Sequence, residues 1–167
     1  RPADATEAAE CWQIALESVK TPSTLALTRQ NLPAVRTEYV EENLCAHGAY
    51  ELATAEDEAR VTIFATGSEV EIALAARTAL QARGVPTRVV SVPCFELFEE
   101  QPEAYRKGIL GSARVNVAIE AAIREGWDRF IGQDGVFIGM RGFGASGEIA
   151  DLYKHFGITA EAAADAA

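Results

Sequence analysis

Long hydrophobic runs, paired cysteines, histidine and excess positive charge are all scarce in this 167-residue sequence, and each scarcity excludes a class of function. No apolar run approaches the roughly 18 residues that a membrane-crossing helix needs. A net charge of −10 argues against a nucleic-acid surface or a patch for anionic lipid. The three cysteines, Cys11, Cys45 and Cys94, are odd in number, far apart in sequence and in no Cys-x-x-Cys. They point to a reduced, cytoplasmic protein rather than a disulfide framework or a zinc site. Only His47 and His155 are available for histidine chemistry, and both read as surface or packing residues. What is present is globular: 49% of residues are apolar and 24% charged, enough to bury one core and part of another.

Along the chain the hydrophobic period changes twice. Asp4 with Glu7 three positions later has capping-box spacing, and Ala8, Cys11, Trp12, Ala15, Leu16 and Val19 form a helical stripe that Thr21-Pro22 stops. "STLALT", residues 23–28, reads as a strand, yet one strand and one helix cannot complete a sheet and its cover. That strand either joins a later sheet or belongs to a sheet whose remainder lies outside these residues. From Ala34 to about Arg60 the chain is polar and acidic, like a linker, with "CAHGAYEL" as a short strand candidate.

Beyond Arg60, strands and helices alternate. "VTIFAT", "TRVVSV", "RVNVAIE" and "GVFIGM" read as strands; "EVEIALAARTALQARG", "EQPEAYRKGILG", "GWDRFIG", "GEIADLYKHFG" and "TAEAAADAA" read as helices. Alternation of this kind predicts an α/β fold: a three-layer sandwich with a mostly parallel sheet flanked by helices, preceded by a helix–strand remnant of another α/β domain.

The turn "TGSEV" between the first of these strands and its helix invites a phosphate-loop reading. It has too few glycines and no lysine for one, and Glu69 and Glu71 occupy the helix N-terminus where an anion would sit. Ser68 and Glu71 have capping-box spacing instead, so Ser68 is read as a helix cap. Glu120 closes the third of these strands, where parallel sheets place functional groups; it is either functional or a carboxylate that caps a helix or pairs with an arginine. "RGFGASGE", Arg141 to Glu148, is either an anion cradle of backbone N–H groups or a surface loop that leads into a helix. Trp127, Phe130, Phe137 and Phe143 read as core or interface. In "LTRQNLP", Arg29 follows the lone strand beside Gln30 and Asn31, and its guanidinium either clamps a phosphate or carboxylate or makes an ordinary ion pair.

The order "RPAD", "LTRQNLP", "ATGSEVEIAL", "RVVSVPCFELFEEQ", "YRKGIL", "VAIEAAI" and "FGASG…LYKHFGIT" resembles the last quarter of the transketolase family of thiamine-diphosphate enzymes, from Arg1 to about Thr159. "ATGSE" alone also occurs in relatives such as 1-deoxyxylulose-5-phosphate synthase and the decarboxylating dehydrogenase β chains, and dihydroxyacetone synthase is a close alternative. The resemblance implies that residues 1–33 are the tail of a pyrimidine-binding domain, 34–60 a linker and 61–167 the C-terminal domain. It implies that Arg29 binds the phosphate of a sugar-phosphate substrate. It further implies a homodimeric, cytoplasmic parent enzyme that moves a two-carbon ketol unit between sugar phosphates in the pentose phosphate pathway. Thiamine diphosphate and Mg2+ (or Ca2+) would serve that parent, on ligands upstream of Arg1. The 167 residues are therefore expected to be an inactive fragment with no cofactor, metal, nucleic-acid or membrane site of their own. Two rival readings are a stand-alone ligand-binding or regulatory α/β domain and a module that supports a dimer.

Overall fold

A computed structural model describes all 167 residues. Helix α1, Ala5–Glu17, begins as its spacing predicts, with the Asp4 carboxylate accepting from the Glu7 amide at 2.8 Å. Glu7 does not return the bond to Asp4; one of its oxygens takes the Ala3 amide at 2.7 Å. Residues 23–28, expected as a strand, run without a ladder. A strand exists only through a neighbour's backbone groups, and none approaches this segment.

The sheet has five strands in the order β1-β3-β2-β4-β5: β1 Tyr50–Ala53, β2 Val61–Ala65, β3 Thr87–Ser91, β4 Val115–Glu120 and β5 Val136–Gly139. All neighbouring pairs are parallel except β1 with β3. The antiparallel edge strand comes from inside the stretch read as a linker. It is reached through a 3₁₀ turn, Leu44–His47, and then Gly48. Gly48 has φ +75°, and a Cβ there would lie 2.1 Å from the Phe98 amide nitrogen, so only glycine admits this close passage.

Helices cover both faces of the sheet. On one side α2, Val70–Ala82, and α7, Ala160–Asp165, pack on Val61, Ile63, Ala65, Val89, Val117 and Ile119. On the other, α3 Phe95–Glu99, α4 Glu103–Leu110 and α5 Asp128–Ile131 pack on Phe64, Val90 and Ala118. The two sets of residues alternate along each strand, as the two-residue period of a pleated strand demands. Helix α6, Ile149–Phe156, precedes α7. The chain is thus the three-layer, mostly parallel α/β fold expected from its alternating periods.

Turn chemistry explains the boundaries. Helix α2 ends in a Schellman arrangement: the Gly84 amide donates to Gln81 O at 2.9 Å and the Val85 amide to Leu80 O at 3.0 Å. Pro102 stands at the N-cap of α4, where its missing N–H costs nothing. Helix α3 was not anticipated, because "CFELF" contains no apolar repeat long enough to separate helix from loop. Its Phe98 is held by burial against Phe130, 4.8 Å between ring centres, rather than by local propensity.

Candidate functional site

Strands β2 and β4 run side by side, and the polar groups of the domain gather beyond their carboxyl ends. After Ala65 the chain enters a 3₁₀ turn, Gly67–Glu69, which aims Glu69 inward, where it is fully buried. One Glu69 oxygen accepts from Ser68 Oγ at 2.7 Å and Tyr153 OH at 2.6 Å. The other accepts from Arg1 Nη2 at 3.0 Å and the Ala121 amide at 3.0 Å. Glu120 receives the other side of the same guanidinium, at 2.5 Å, and also Trp127 Nε1, at 2.7 Å. Trp127 is itself completely buried and packs edge-on against Phe95.

One cation therefore lies between two carboxylates. Burial opposes charge on Arg1, but Glu69 and Glu120 hold its guanidinium above its ordinary pKa. Burial and then Glu69 push the Tyr153 phenol up, so it remains a donor. Glu71 is also raised, by burial and by the neighbouring Glu69 charge. Glu69 accepts four donors, which fills the capacity of a carboxylate, and Glu120 accepts two. The network joins three layers by charge-assisted hydrogen bonds.

Ser68 is not the helix cap that its spacing predicts. Its hydroxyl donates to Glu69, α2 has no side-chain cap, and Glu71 makes no return bond. The 3₁₀ turn shifts the start of α2 past Ser68, and a buried carboxylate outcompetes a backbone N–H for its hydroxyl. Glu120 pairs with an arginine, the second of its two readings. Residues 141–148 form an exposed loop that enters α6 with no side-chain cap. His47 stacks on Tyr105 at 4.8 Å between ring centres and its Nε2 lies 2.7 Å from Glu42, while His155 packs on Phe156.

Arg29 is exposed and makes no hydrogen bond or ion pair. No strand carries it, so a turn rather than a sheet sets its backbone. Its neighbours Thr28 and Gln30, hydrogen-bonded to each other, line a cavity of about 350 Å³ with Arg1, Ser68, Glu69 and Tyr153. The motif and the strand-end network thus meet across one cavity, with the Arg29 side chain outside its lining.

No cluster of three or more His, Cys, Asp or Glu side chains is placed to hold a metal ion. No helix is long and apolar enough to cross a membrane. Sequence reasoning missed Arg1 and the role of Glu69 altogether. Arg1 lies 68 residues from Glu69 and 119 from Glu120, and no local pattern signals a contact over that distance.

Comparison with known proteins agrees with this architecture. The family model described as "Transketolase-like TK C-terminal domain" matches residues 48–159. The transketolase of Rhodobacter capsulatus is 56% identical over 170 residues, covering 98% of this chain and 25% of that protein. The solved transketolase from Leishmania mexicana superposes with a TM-score of 0.87 at 40% identity, over 99% of this chain and 24% of that one. The Pichia stipitis transketolase in complex with sedoheptulose 7-phosphate gives a TM-score of 0.89 at 36% identity, over 99% and 24%. The chain spans about a quarter of the length of the relatives it matches.

Proposed function

Because the chain belongs to the transketolase family, we propose that it is the carboxyl-terminal part of a longer enzyme that transfers a two-carbon ketol unit from a ketose phosphate to an aldose phosphate. The observation that carries the reading is 56% identity to a transketolase across 98% of the chain. Residues 1–33 are then the tail of the pyrimidine-binding domain, 34–60 the connection that lends β1 to the neighbouring sheet, and 61–167 the C-terminal domain. The exposed apolar side chains Trp12 and Leu16 of α1, with Val19 just past its end, support this division, since such a face is normally covered by a partner.

In this reading Arg29 grips the substrate phosphate. Its guanidinium is exposed and uncommitted, and its planar fork suits a phosphate. Thiamine diphosphate and the divalent metal, Mg2+ or Ca2+, are held by residues of the longer enzyme outside this chain. The enzyme is a cytoplasmic homodimer of the pentose phosphate pathway, and the 167 residues alone are inactive.

Ketol transfer between phosphorylated sugars, assayed with cofactor and Mg2+ on the full-length protein and on this chain alone, tests the proposal. Turnover is expected only from the full-length protein. A full-length protein that leaves both sugars unchanged would sink the assignment. Turnover by the chain alone would place the catalytic machinery within these residues.

A further inference from the structure

Cys11 and Cys45 lie 34 positions apart in sequence but on opposite sides of one contact. Helix α1 carries Cys11, and the 3₁₀ turn Leu44–His47 carries Cys45. The turn docks on the helix by polar contacts. Asn43 Nδ2 donates to Glu10 O at 3.1 Å, the Cys45 amide donates to Glu10 Oε2 at 3.1 Å, and Cys45 Sγ sits 3.9 Å from Glu7 O. Glu7 O is the carbonyl that the Cys11 amide caps in an α-helix, four residues back. Helical side chains lean toward the N-terminus, so the Cys11 side chain covers the same turn of helix that Cys45 touches.

The two thiols differ in character. Interaction with Cys45, set against burial, lowers the Cys11 thiol below its ordinary pKa. Interaction with Cys11, followed by burial, pushes the Cys45 thiol up. The opposite directions arise from the proximity of the two sulfurs, and Cys11 is the one more open to solvent. Cys11 is partly exposed, Cys45 is buried, and both line a cavity of about 480 Å³ that also reaches Cys94. Cys94 donates to Glu96 Oε2 at 3.4 Å, and burial raises its thiol, which keeps it a poor nucleophile.

We propose that Cys11 and Cys45 form a peroxide-sensitive dithiol that closes to a disulfide and covalently ties α1 to the entrance of β1. The Cys11 thiolate attacks one peroxide oxygen; the O–O bond breaks, Cys11 becomes a sulfenic acid and the other oxygen leaves as water after taking up a proton. Cys45 sulfur then attacks the Cys11 sulfur. The S–O bond breaks, and the departing hydroxide takes the Cys45 proton and leaves as a second water. Two thiols and one hydrogen peroxide give one disulfide and two waters. Both sulfurs border the cavity, and Cys11, the more exposed of the two, meets the oxidant first. The inference does not depend on the enzymatic reading.

The test uses the reduced full-length protein, exposed to graded hydrogen peroxide, with free thiols then alkylated and peptides mapped by mass spectrometry. The expected product is a Cys11–Cys45 linked peptide lighter by two hydrogens, formed while Cys94 remains alkylatable and reversed by dithiothreitol. In Cys45→Ser, Cys11 should accumulate as a sulfenic acid that dimedone traps, and Cys11→Ser should abolish the product. The oxidised wild type needs no variant to fold. Cys11 and Cys45 both remaining alkylatable at peroxide levels that oxidise Cys94 would overturn the proposal, as would a Cys11 disulfide to any other cysteine.

Discussion

Residues 44–167 and residues 1–43 are held in place by different forces. The larger region buries both faces of a sheet: Ile63, Phe64, Val89, Val90 and Ile119 are fully enclosed. The leading region exposes what a core would normally take, with Trp12 52%, Leu16 75%, Val19 87% and Leu27 56% accessible. It is attached by polar pins instead. Glu7 accepts from Tyr50 OH at 2.7 Å and Ser91 Oγ at 2.6 Å, Glu10 accepts from the Cys45 amide at 3.1 Å, and the Arg1 guanidinium lies between Glu69 and Glu120. Apolar burial fixes the first region from within, whereas the second is tethered through directional bonds and keeps its apolar side for another surface.

The largest effect expected is on the region with its own core. Trp127→Ala removes a fully buried indole and leaves Glu120 without one of its two donors. Urea unfolding should show a loss of about 4 kcal/mol. A loss under about 1 kcal/mol would mean that the aromatic cluster around Phe95 and Phe130 is loosely packed.

Glu7→Ala strikes the tether. Three donors, the Ala3 amide, Tyr50 OH and Ser91 Oγ, lose their acceptor, at a cost of about 3 kcal/mol. Amide exchange should accelerate across α1 far more than in β2 or β4; uniform acceleration would erase the distinction between the two regions. The same residue has a pH signature. Burial raises the Glu7 carboxyl above its ordinary value, against the pull of Ser91, Tyr50 and Ala3. A raised carboxyl lends stability that is complete below about pH 4.3 and is lost as pH rises through the folded-state value. Glu7→Gln suffers no such loss. The melting temperature of wild type minus that of Glu7→Gln should therefore fall from about pH 4 to pH 8, and a difference that rises would contradict the shift.

Arg29 tests what the leading region does for function. In the full-length enzyme Arg29→Ala should lower kcat/KM about 10- to 150-fold on a phosphorylated donor, mostly through KM. An unphosphorylated donor such as hydroxypyruvate should be nearly unaffected. Equal losses on both donors would assign Arg29 to the fold rather than to phosphate.

The smallest effect is also the sharpest comparison. Leu16→Ser, at an exposed position, should change the stability of this chain by less than about 0.5 kcal/mol. In the full-length protein, where the proposal covers this face, it should cost about 2 kcal/mol or more. The same small change in both contexts would mean that nothing packs on α1.

The parts of this protein that were legible in its sequence are those set by local repetition. Short, largely buried runs at Val61–Ala65, Thr87–Ser91 and Val115–Glu120, alternating with helical periods and closed by Gly84 and Gly157, carry the α/β architecture because each signal acts within a few residues. The spacing of Ser68 and Glu71 misled for the complementary reason: capping geometry looks the same in sequence whether or not a buried carboxylate one residue away captures the hydroxyl. Residues 23–28 had the composition of a strand but no partner, and pairing is a property of two segments. Only the tertiary structure brought Arg1 between Glu69 and Glu120, set Gln30 and Tyr153 on one cavity, and laid Cys45 over the turn of helix that carries Cys11. These contacts join residues tens of positions apart. Their energies appear only after the intervening chain has folded and water has been excluded, so no window of sequence contains them.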